Sequence, residues 1–296
     1  MSASMPAALP TVDAYAPREI AHRIETLGVT KARSDAISVL LLAVLAGAAL
    51  GALFFLVVVT RPVGGFGTTR LAGGVAFSLG LILVVVGGAE LFTGNNLVAM
   101  AWASRRITTV ELLRHWGLVY AGNALGALGT VGLVFLGGVH QFGDGAVGAT
   151  ALAIGQRKAA LGCTEAVALG VLCNALVCLA VWLAMGGRTV ADKVLAIVLP
   201  ITAFVTIGLE HSIANMFFLP YALVLHGFGD APFMVGILRN LVAVTLGNLI
   251  GGTVLVASVY WCAYLRPQRG SAGVGKRARV SESPPATAWA EGERSE

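Results

Sequence analysis

The sequence predicts an all-α membrane protein with six transmembrane helices, and three observations lead to this fold class. Charged residues make up 12% of the 296-residue chain, whereas soluble domains carry about a quarter. The mean hydropathy is +0.83. Six segments are long and apolar enough for a membrane span, which needs roughly 20 residues. A soluble domain with one buried core helix does not have this pattern.

The six segments are runs without charged residues, and two of the runs continue beyond a single acid. In chain order they cover residues 36–60, 71–104 across Glu90, 115–143, 166–187, 194–229 across Glu210, and 240–265. We therefore expect the second and the fifth transmembrane helix to be broken, each at its glutamate. An ionisable side chain inside a membrane is costly and is a functional candidate by default.

Three regions follow from this pattern along the chain. They are a cytoplasmic N-terminal segment (1–34), a six-span transmembrane domain (35–265) and a disordered cytoplasmic tail (266–296). The first region has no apolar stretch typical of a cleavable signal peptide. Its residues 18–31 form either a short amphipathic helix on the membrane surface or a solvated lead-in. The tail is rich in Arg, Gly, Ser, Pro and Glu, a composition typical of disorder.

The distribution of Lys and Arg predicts the orientation in the membrane. Fifteen of these 20 residues lie on the side that both termini share, and five lie on the other side. Cytoplasmic loops carry the excess of positive charge. The sequence thus predicts a multi-pass membrane protein with both termini in the cytoplasm. The basic pI of about 9.3 follows from this topology and does not indicate nucleic-acid binding.

The two interrupted segments belong to an internal repeat. The pattern Gly-x-Glu-x-x-x-x-Asn occurs at residues 88–95 and again at 208–215, and the pattern Gly-Asn-x-x-Gly occurs at 122–126 and at 247–251. Each half contains three spans, and three is odd, so we expect an inverted 3+3 repeat. Inverted repeats with broken helices at matching positions point to a transport pathway near the bilayer midplane.

Glu90 and Glu210 are expected to support the helix breaks, together with Asn95 and Asn215 of the same pattern. A break frees backbone N–H and C=O groups, which must find partners inside the protein. We expect each carboxylate to accept hydrogen bonds from N–H groups of the next half-helix, whose positive end also favours a negative charge. The alternative role for both acids is a proton relay or a cation site.

Three motifs resemble those of the formate/nitrite transporter family, and the resemblance extends along residues 30–265. The motifs are GAELFTG at 88–94, GVLCNALVCLAVW at 170–182 and GLEHSIANM at 208–216. All three occur in order on six spans with an internal repeat. The resemblance implies an aquaporin-like fold, a homopentamer with one pore per protomer, and no cofactor. It also implies passage of small monovalent anions such as formate, nitrite and hydrosulfide.

The same resemblance assigns expected positions along the pathway. His211 matches the central histidine of the family, and Thr93 matches the threonine that can hydrogen-bond it. Lys158 matches the lysine at the external entrance, and Asn174, sixteen residues later, matches the asparagine of the family. Ala175 departs from the pattern, where a bulkier residue is usual, which leaves the local pore width open. The expected apolar and aromatic residues of the constrictions are Phe77, Leu81, Leu91, Phe92, Val177 and Phe204.

Taken without the resemblance, these residues leave simpler interpretations open. His211 is either a satisfied core group or, because only histidine titrates near physiological pH, a group that handles a proton. Lys158 is either an interfacial lysine with its stem in the apolar layer or an attractor of anions. The residues of the constrictions either line a pore or belong to the ordinary core.

The predicted function is passage of a small monovalent anion across the membrane, with formate first and nitrite or hydrosulfide as alternatives. An anion loses its hydration in an apolar constriction, so we expect proton coupling through His211. A neutral-solute channel of the aquaporin type is the alternative of another class, but it uses Asn-Pro-Ala boxes that the two half-helices lack. We predict no enzyme activity and no metal site, because the sequence shows no set of paired His, Glu or Cys ligands. The expected partners are the anion, protons, the lipid bilayer and identical subunits.

Overall fold

Six long helices form the body of the protein in the computed structural model, which describes residues 13–46, 48–62 and 64–267. All regular secondary structure in these ranges is helical. The helices with the length and composition of a membrane span are Ala36–Thr60, Phe66–Gly87, Thr109–Leu136, Cys163–Gly186, Val190–Ile207 and Ala231–Leu265. The predicted fold class and the number of spans are confirmed. The predicted disordered tail lies outside the described residues, except for residues 266 and 267.

The helices are numbered in chain order, with short 3₁₀ and π segments between them. They are α1 (Pro17–Arg33), α2 (Ala36–Val44), α3 (Ala48–Thr60), α4 (Phe66–Gly87), a 3₁₀ turn (Gly94–Val98), α5 (Ala99–Ala103), α6 (Thr109–Leu136), a second 3₁₀ turn (Val139–Gln141), α7 (Ala146–Ala160), α8 (Cys163–Gly186), α9 (Val190–Ile207), α10 (Ser212–His226), α11 (Ala231–Leu249), a π segment (Ile250–Ala257), α12 (Ser258–Tyr260) and a second π segment (Trp261–Leu265). Residues 94–103, the first 3₁₀ turn with α5, are called the first half-helix, and α10 is called the second half-helix.

α1 is an amphipathic helix whose apolar face lies against the protein. Ile20 and Ile24 are buried in one hydrophobic cluster with Leu97 and Met100 of the first half-helix. The sequence left this segment open between a helix on the membrane surface and a solvated lead-in. The segment is a helix, and its buried apolar side chains contact other parts of the protein.

The second and the fifth span are broken at equivalent glycines. α4 ends at Gly88, where φ is +79°, and α9 ends at Gly208, where φ is +90°. A left-handed residue after the last turn ends a helix and allows the chain to change direction, and glycine adopts it without steric cost. The two half-helices begin within a few residues, so each broken span continues at an angle set by its glycine.

The repeated Gly-Asn-x-x-Gly pattern lies where two pairs of helices pack backbone to backbone. A Cβ atom at Gly126 of α6 would lie 2.2 Å from the carbonyl oxygen of Val44 in α2. A Cβ atom at Gly251, just beyond α11, would lie 2.1 Å from the carbonyl oxygen of Val171 in α8. Small residues allow helices in a membrane to approach this closely. The close approach brings the asparagines of the pattern to the breaks.

Candidate functional site

The two helix breaks meet through one hydrogen bond between Thr93 and His211. Thr93 Oγ1 lies 2.9 Å from His211 Nε2. Thr93 is fully buried and His211 is 4% exposed. Residues 118 positions apart in the sequence are thus joined at the centre of the protein, as the resemblance implied.

A second hydrogen bond of His211 fixes the position of its ring proton. The backbone N–H of Ala214 donates to His211 Nδ1 over 3.0 Å, which makes the histidine side chain the N-cap of α10. A backbone N–H can only donate, so Nδ1 is an acceptor and the proton of the neutral ring is on Nε2. His211 therefore donates to the Thr93 hydroxyl. Thr93 makes no other side-chain hydrogen bond to a described residue, so its own hydroxyl proton is available to a ligand.

Asn174 and Cys178 of α8 donate hydrogen bonds to the backbone of the first break. Asn174 Nδ2 and Cys178 Sγ both donate to the carbonyl oxygen of Thr93, over 3.3 and 3.4 Å. Asn174 Nδ2 also donates to the carbonyl oxygen of Asn248 over 2.7 Å. Asn174 therefore positions the backbone that carries Thr93.

Phe77 and Phe204 form an aromatic pair directly against His211. Their ring centroids are 5.4 Å apart and nearly perpendicular, at 83°. The Phe204 ring stacks on the imidazole at 5.9 Å and 19°, and the Phe77 ring meets it edge-on at 6.3 Å. The two rings come from α4 and α9, the two helices that end at the breaks.

One narrow cavity adjoins each helix break. The α7-side cavity, about 50 Å³, is lined by residues that include Phe77, Phe204, Lys158 and His211. It shares several lining residues with a wider, more open pocket of about 760 Å³. The α1-side cavity, about 40 Å³, is lined by α1 and the first half-helix, including Lys31. The two narrow cavities share no lining residue.

Four of the predicted constriction residues line neither of these narrow cavities. Leu81, Leu91, Phe92 and Val177 are at most 4% exposed and belong to the same hydrophobic cluster as Phe77 and Phe204. These four side chains are therefore buried among apolar neighbours and offer no polar atom of their own.

Glu90 lies in a network of charged and amide groups beside the first break. Its carboxylate accepts a hydrogen bond from Lys31 Nζ at 2.7 Å and another from Asn95 Nδ2. Lys31 Nζ also donates to Asn95 Oδ1 over 3.0 Å. His115 Nε2 lies 3.2 Å from Asn95 Nδ2 and 3.9 Å from the Glu90 carboxylate.

Glu210 has a matching network beside the second break. Lys158 Nζ donates to one carboxylate oxygen over 2.8 Å, and Asn215 Nδ2 donates to the other over 2.7 Å. Asn215 Nδ2 also donates to Asn240 Oδ1, and Asn240 Nδ2 donates to the carbonyl oxygen of Lys158. Lys158 is 8% exposed, so its charge is compensated by an acid and largely shielded from water.

At each break an asparagine, not the glutamate as expected, is the partner of one freed N–H group and one freed C=O group. The N–H of Phe92 donates to Asn123 Oδ1, and Asn123 Nδ2 donates to the carbonyl oxygens of Ala43 and Glu90. At the second break the N–H of Ser212 donates to Asn248 Oδ1, and Asn248 Nδ2 donates to the carbonyl oxygens of Gly170 and Glu210. The expected partner was wrong because an uncharged amide both donates and accepts, which satisfies freed N–H and C=O groups together.

Sequence reasoning missed several members of these networks. Asn123 and Asn248 were visible in the repeated Gly-Asn-x-x-Gly pattern, but no role was assigned to them. Lys31 was assigned to the N-terminal lead-in, although it precedes Lys158 by 127 positions. The same offset relates Leu42 to Leu169, whose carbonyl oxygens accept hydrogen bonds from the backbone N–H groups of Glu90 and Glu210. Comparing lysines at that offset would have extended the repeat to α1 and α7.

The described residues contain no group of three or more His, Cys, Asp or Glu side chains close enough to hold a metal ion.

The chain is similar to known membrane proteins. The sequence matches the family profile described as formate/nitrite transporter over residues 18–262. It is 42% identical to the formate channel FocA of Escherichia coli K12 over 273 residues, covering 86% of this chain and 96% of that protein. It is 40% identical to the uncharacterized transporter YrhG of Bacillus subtilis, with 86% and 95% covered.

Two solved structures resemble the fold. One is a pentameric formate channel with formate bound, with a TM-score of 0.66 and 39% identity over 78% of this chain and 98% of that one. The other is an ion channel of the FNT family, with a TM-score of 0.74 and 28% identity over 83% and 98%. With the six spans and the two broken helices, these matches lead to one conclusion: this multi-pass membrane protein belongs to the formate/nitrite transporter family.

Proposed function

We propose that the chain passes small monovalent anions, formate first, along a pathway from the α7-side cavity past His211 and Thr93 to the α1-side cavity. The observation that carries the proposal is the Thr93–His211 hydrogen bond of 2.9 Å, which joins the two breaks at the inner end of the α7-side cavity. Relatives named as formate channels support formate as the substrate. Nitrite and hydrosulfide are the alternative anions for the same pathway.

On the proposed pathway, the apolar cluster that contains the four buried constriction residues sets the main energetic requirement. An ionised carboxylate that enters an apolar region without a partner loses its hydration at a cost of many kcal/mol, whereas the neutral acid loses far less. Leu81, Leu91, Phe92 and Val177 offer no polar side chain. The transported species at this point is therefore formic acid, and the net process moves one formate with one proton.

His211 is the group that we propose supplies the proton. The neutral ring accepts from Ala214 at Nδ1, so a proton can add there only when the first turn of α10 moves and releases that nitrogen. The imidazolium, formed with a proton from solvent, then attracts formate and transfers the Nδ1 proton to a carboxylate oxygen, which leaves the neutral ring protonated on Nε2. The Nδ1–Ala214 hydrogen bond reforms, and the neutral acid continues past the apolar residues.

We further propose that the two halves are inverted repeats and that the protein is a homopentamer in the bacterial inner membrane with both termini in the cytoplasm. The matched Glu90 and Glu210 networks support the repeat. The excess of Lys and Arg on the side of the termini supports the orientation, and the pentameric formate channel it resembles supports the assembly. In this orientation the α7-side cavity faces the exterior and α1 faces the cytoplasm.

The decisive test is formate uptake by proteoliposomes with the internal pH recorded, for wild type and His211→Asn. The Asn side chain can cap α10 and donate to Thr93, so we expect normal assembly. Because Asn does not titrate, the pH dependence of uptake should flatten between about pH 5 and 8, where histidine normally titrates. If His211→Asn keeps the wild-type pH dependence and proton stoichiometry, the proton joins formate in water before the constriction. Wild-type liposomes that take up no formate, nitrite or hydrosulfide would contradict the transport function itself.

A further inference from the structure

The cations that line the α7-side cavity differ in how far their charge is already compensated. Lys158, Arg70 and Arg157 all line it, together with the carboxylate of Glu210. Lys158 is buried and paired with that carboxylate at 2.8 Å. This pair is electrically neutral from a distance, so the positive charge that an approaching anion meets comes from the two arginines.

Arg70 is held by the end of α9 and keeps unused hydrogen-bond donors. Its Nε donates to the carbonyl oxygen of Thr206 over 2.7 Å, and its Nη2 donates to that of Val205 over 2.8 Å. A guanidinium has five N–H donors, so three have no partner among the described residues. The Phe66 ring lies 5.4 Å from the guanidinium carbon. The group is thus fixed in place beside the second break.

Arg157 is exposed and makes no hydrogen bond or ion pair with any described residue. It immediately precedes Lys158 near the end of α7, and with Arg70 it lines both the α7-side cavity and the wider pocket outside it. The two residues therefore mark the route from the open pocket to the narrow cavity.

We propose that Arg157 and Arg70 form a capture site for planar anions with two oxygen atoms, such as carboxylates and nitrite, at the mouth of the pathway. The proposal rests on the anion transport proposed above and replaces Lys158 as the attracting charge at this entrance. Arg157 concentrates the anion by its uncompensated charge. Arg70, already oriented by α9, offers its remaining N–H donors.

The guanidinium groups also determine which anions gain most from this site. Two parallel N–H groups match the two oxygen atoms of a carboxylate or of nitrite. An anion with a single acceptor atom, such as hydrosulfide or chloride, cannot match two parallel N–H groups and gains mainly the electrostatic attraction. The site therefore favours formate and nitrite over hydrosulfide before the constriction is reached.

The test compares initial formate uptake by the full-length protein in proteoliposomes for wild type, Arg157→Gln and Arg157→Lys. Arg61→Gln is the matched control, because Arg61 is an exposed arginine in the loop before α4 that lines neither cavity and lies 3.9 Å from the exposed Asp144. Arg157 makes no side-chain contact that folding depends on, so all variants should assemble. Native mass measurement checks this.

At low ionic strength and low formate we expect Arg157→Gln to slow uptake roughly three- to tenfold, since a charged cleft raises the local anion concentration. The maximal rate at saturating formate should stay near wild type, and the difference should vanish at high salt because exposed charges are then screened. Arg157→Lys should recover uptake, because it keeps the charge by which Arg157 concentrates the anion. Uptake by Arg157→Gln equal to that of Arg61→Gln at low salt overturns the proposal.

A binding measurement separates this inference from the transport function. Broadening of the ¹³C-formate NMR line by the detergent-solubilised protein reports capture without any flux. We expect Arg157→Gln to reduce the broadening relative to wild type and Arg61→Gln to leave it unchanged. If wild type transports no formate but shows this dependence on Arg157, the capture site stands and the transport proposal fails. Equal broadening in all three proteins overturns the capture site.

Discussion

The two helix breaks have the same scaffold but different central residues. Each has a left-handed glycine, a glutamate paired with a lysine, and an asparagine that satisfies three backbone groups. The residues directly after the glutamate differ: Leu-Phe-Thr at the first break and His-Ser at the second. The second half-helix is a regular α-helix of 15 residues capped by His211, whereas the first starts as a 3₁₀ turn without a side-chain cap. The glycine, the ion pair and the asparagine, which both breaks have, stabilise the broken backbone. The residues that differ, Thr93 and His211 among them, are those proposed to contact the anion.

This division teaches that His211 has two tasks that the first break never combines. It caps α10 through Nδ1 and faces Thr93 through Nε2. Thr93 faces the histidine but caps nothing. A substitution of His211 should therefore disturb both the helix cap and the contact between the breaks, whereas a substitution of Thr93 should disturb only the contact. The effects expected across the two breaks range from a loss of transport to a small gain in stability.

The largest difference is expected between His211→Phe and Thr93→Val. Phenylalanine removes the cap of α10, leaves the Ala214 N–H without an acceptor and replaces the imidazole by a larger apolar ring against Phe77 and Phe204. Formate uptake should fall to the level of empty liposomes. Thr93→Val keeps the shape and loses one hydroxyl, so uptake should slow while the pentamer stays intact. Substantial uptake by His211→Phe would show that the pathway does not pass between the breaks.

A large loss of stability is expected for Asn123→Ala and Asn248→Ala, to a similar extent. Each change leaves one N–H and one C=O group of a break without their asparagine partner, at roughly 1–3 kcal/mol for each unsatisfied buried group. Thermal unfolding and native mass measurement of the assembled protein provide the readout. If only one of the two variants loses stability, the two asparagines contribute unequally to stability although they occupy the same position in the sequence pattern.

A clear asymmetry is expected between Glu210→Gln and Glu90→Gln. The lysine side chain left behind is 10% exposed for Lys158 and 21% exposed for Lys31. Removing one partner of a buried ion pair costs about 3–5 kcal/mol, so Glu210→Gln should approach that range and Glu90→Gln should lose clearly less. Thermal unfolding measures both. The double variant Glu210→Gln with Lys158→Met is the control, because it removes the stranded charge and should recover stability; no recovery would show that the charge is not the cause.

The sequence was sufficient for the parts that depend on local pattern. Runs without charge gave the six spans, and single acids inside two runs marked the breaks. The Thr93–His211 contact followed from the family resemblance. The partners of the glutamates were not predictable in the same way, because Lys31 reaches Glu90 only when α1 folds back across the first half-helix. Asn123 was part of a recognised pattern, but its role appears only once α2 and α6 pack closely enough for its amide to reach the break.

His115 shows the same limitation and provides the smallest predicted effect. It was placed at the start of a span, yet it is fully buried and occupies, beside Asn95, the position that Asn240 occupies beside Asn215. Asn95 Nδ2 faces His115 Nε2, so that nitrogen accepts, the ring proton is on Nδ1, and Nδ1 has no partner among the described residues.

His115→Asn should therefore be neutral or slightly stabilising. An asparagine there can accept from Asn95 with Oδ1, and its Nδ2 can reach the carbonyl of Lys31, as Asn240 reaches that of Lys158. Replacing a buried unsatisfied donor by a paired one is expected to raise stability by about 1 kcal/mol, measured by thermal unfolding, with formate uptake and its pH dependence unchanged. The reverse change, Asn240→His, should lower stability because it removes the hydrogen bond to the Lys158 carbonyl. If His115→Asn instead flattens the pH dependence, a second histidine handles protons, and the chemistry is shared between the breaks.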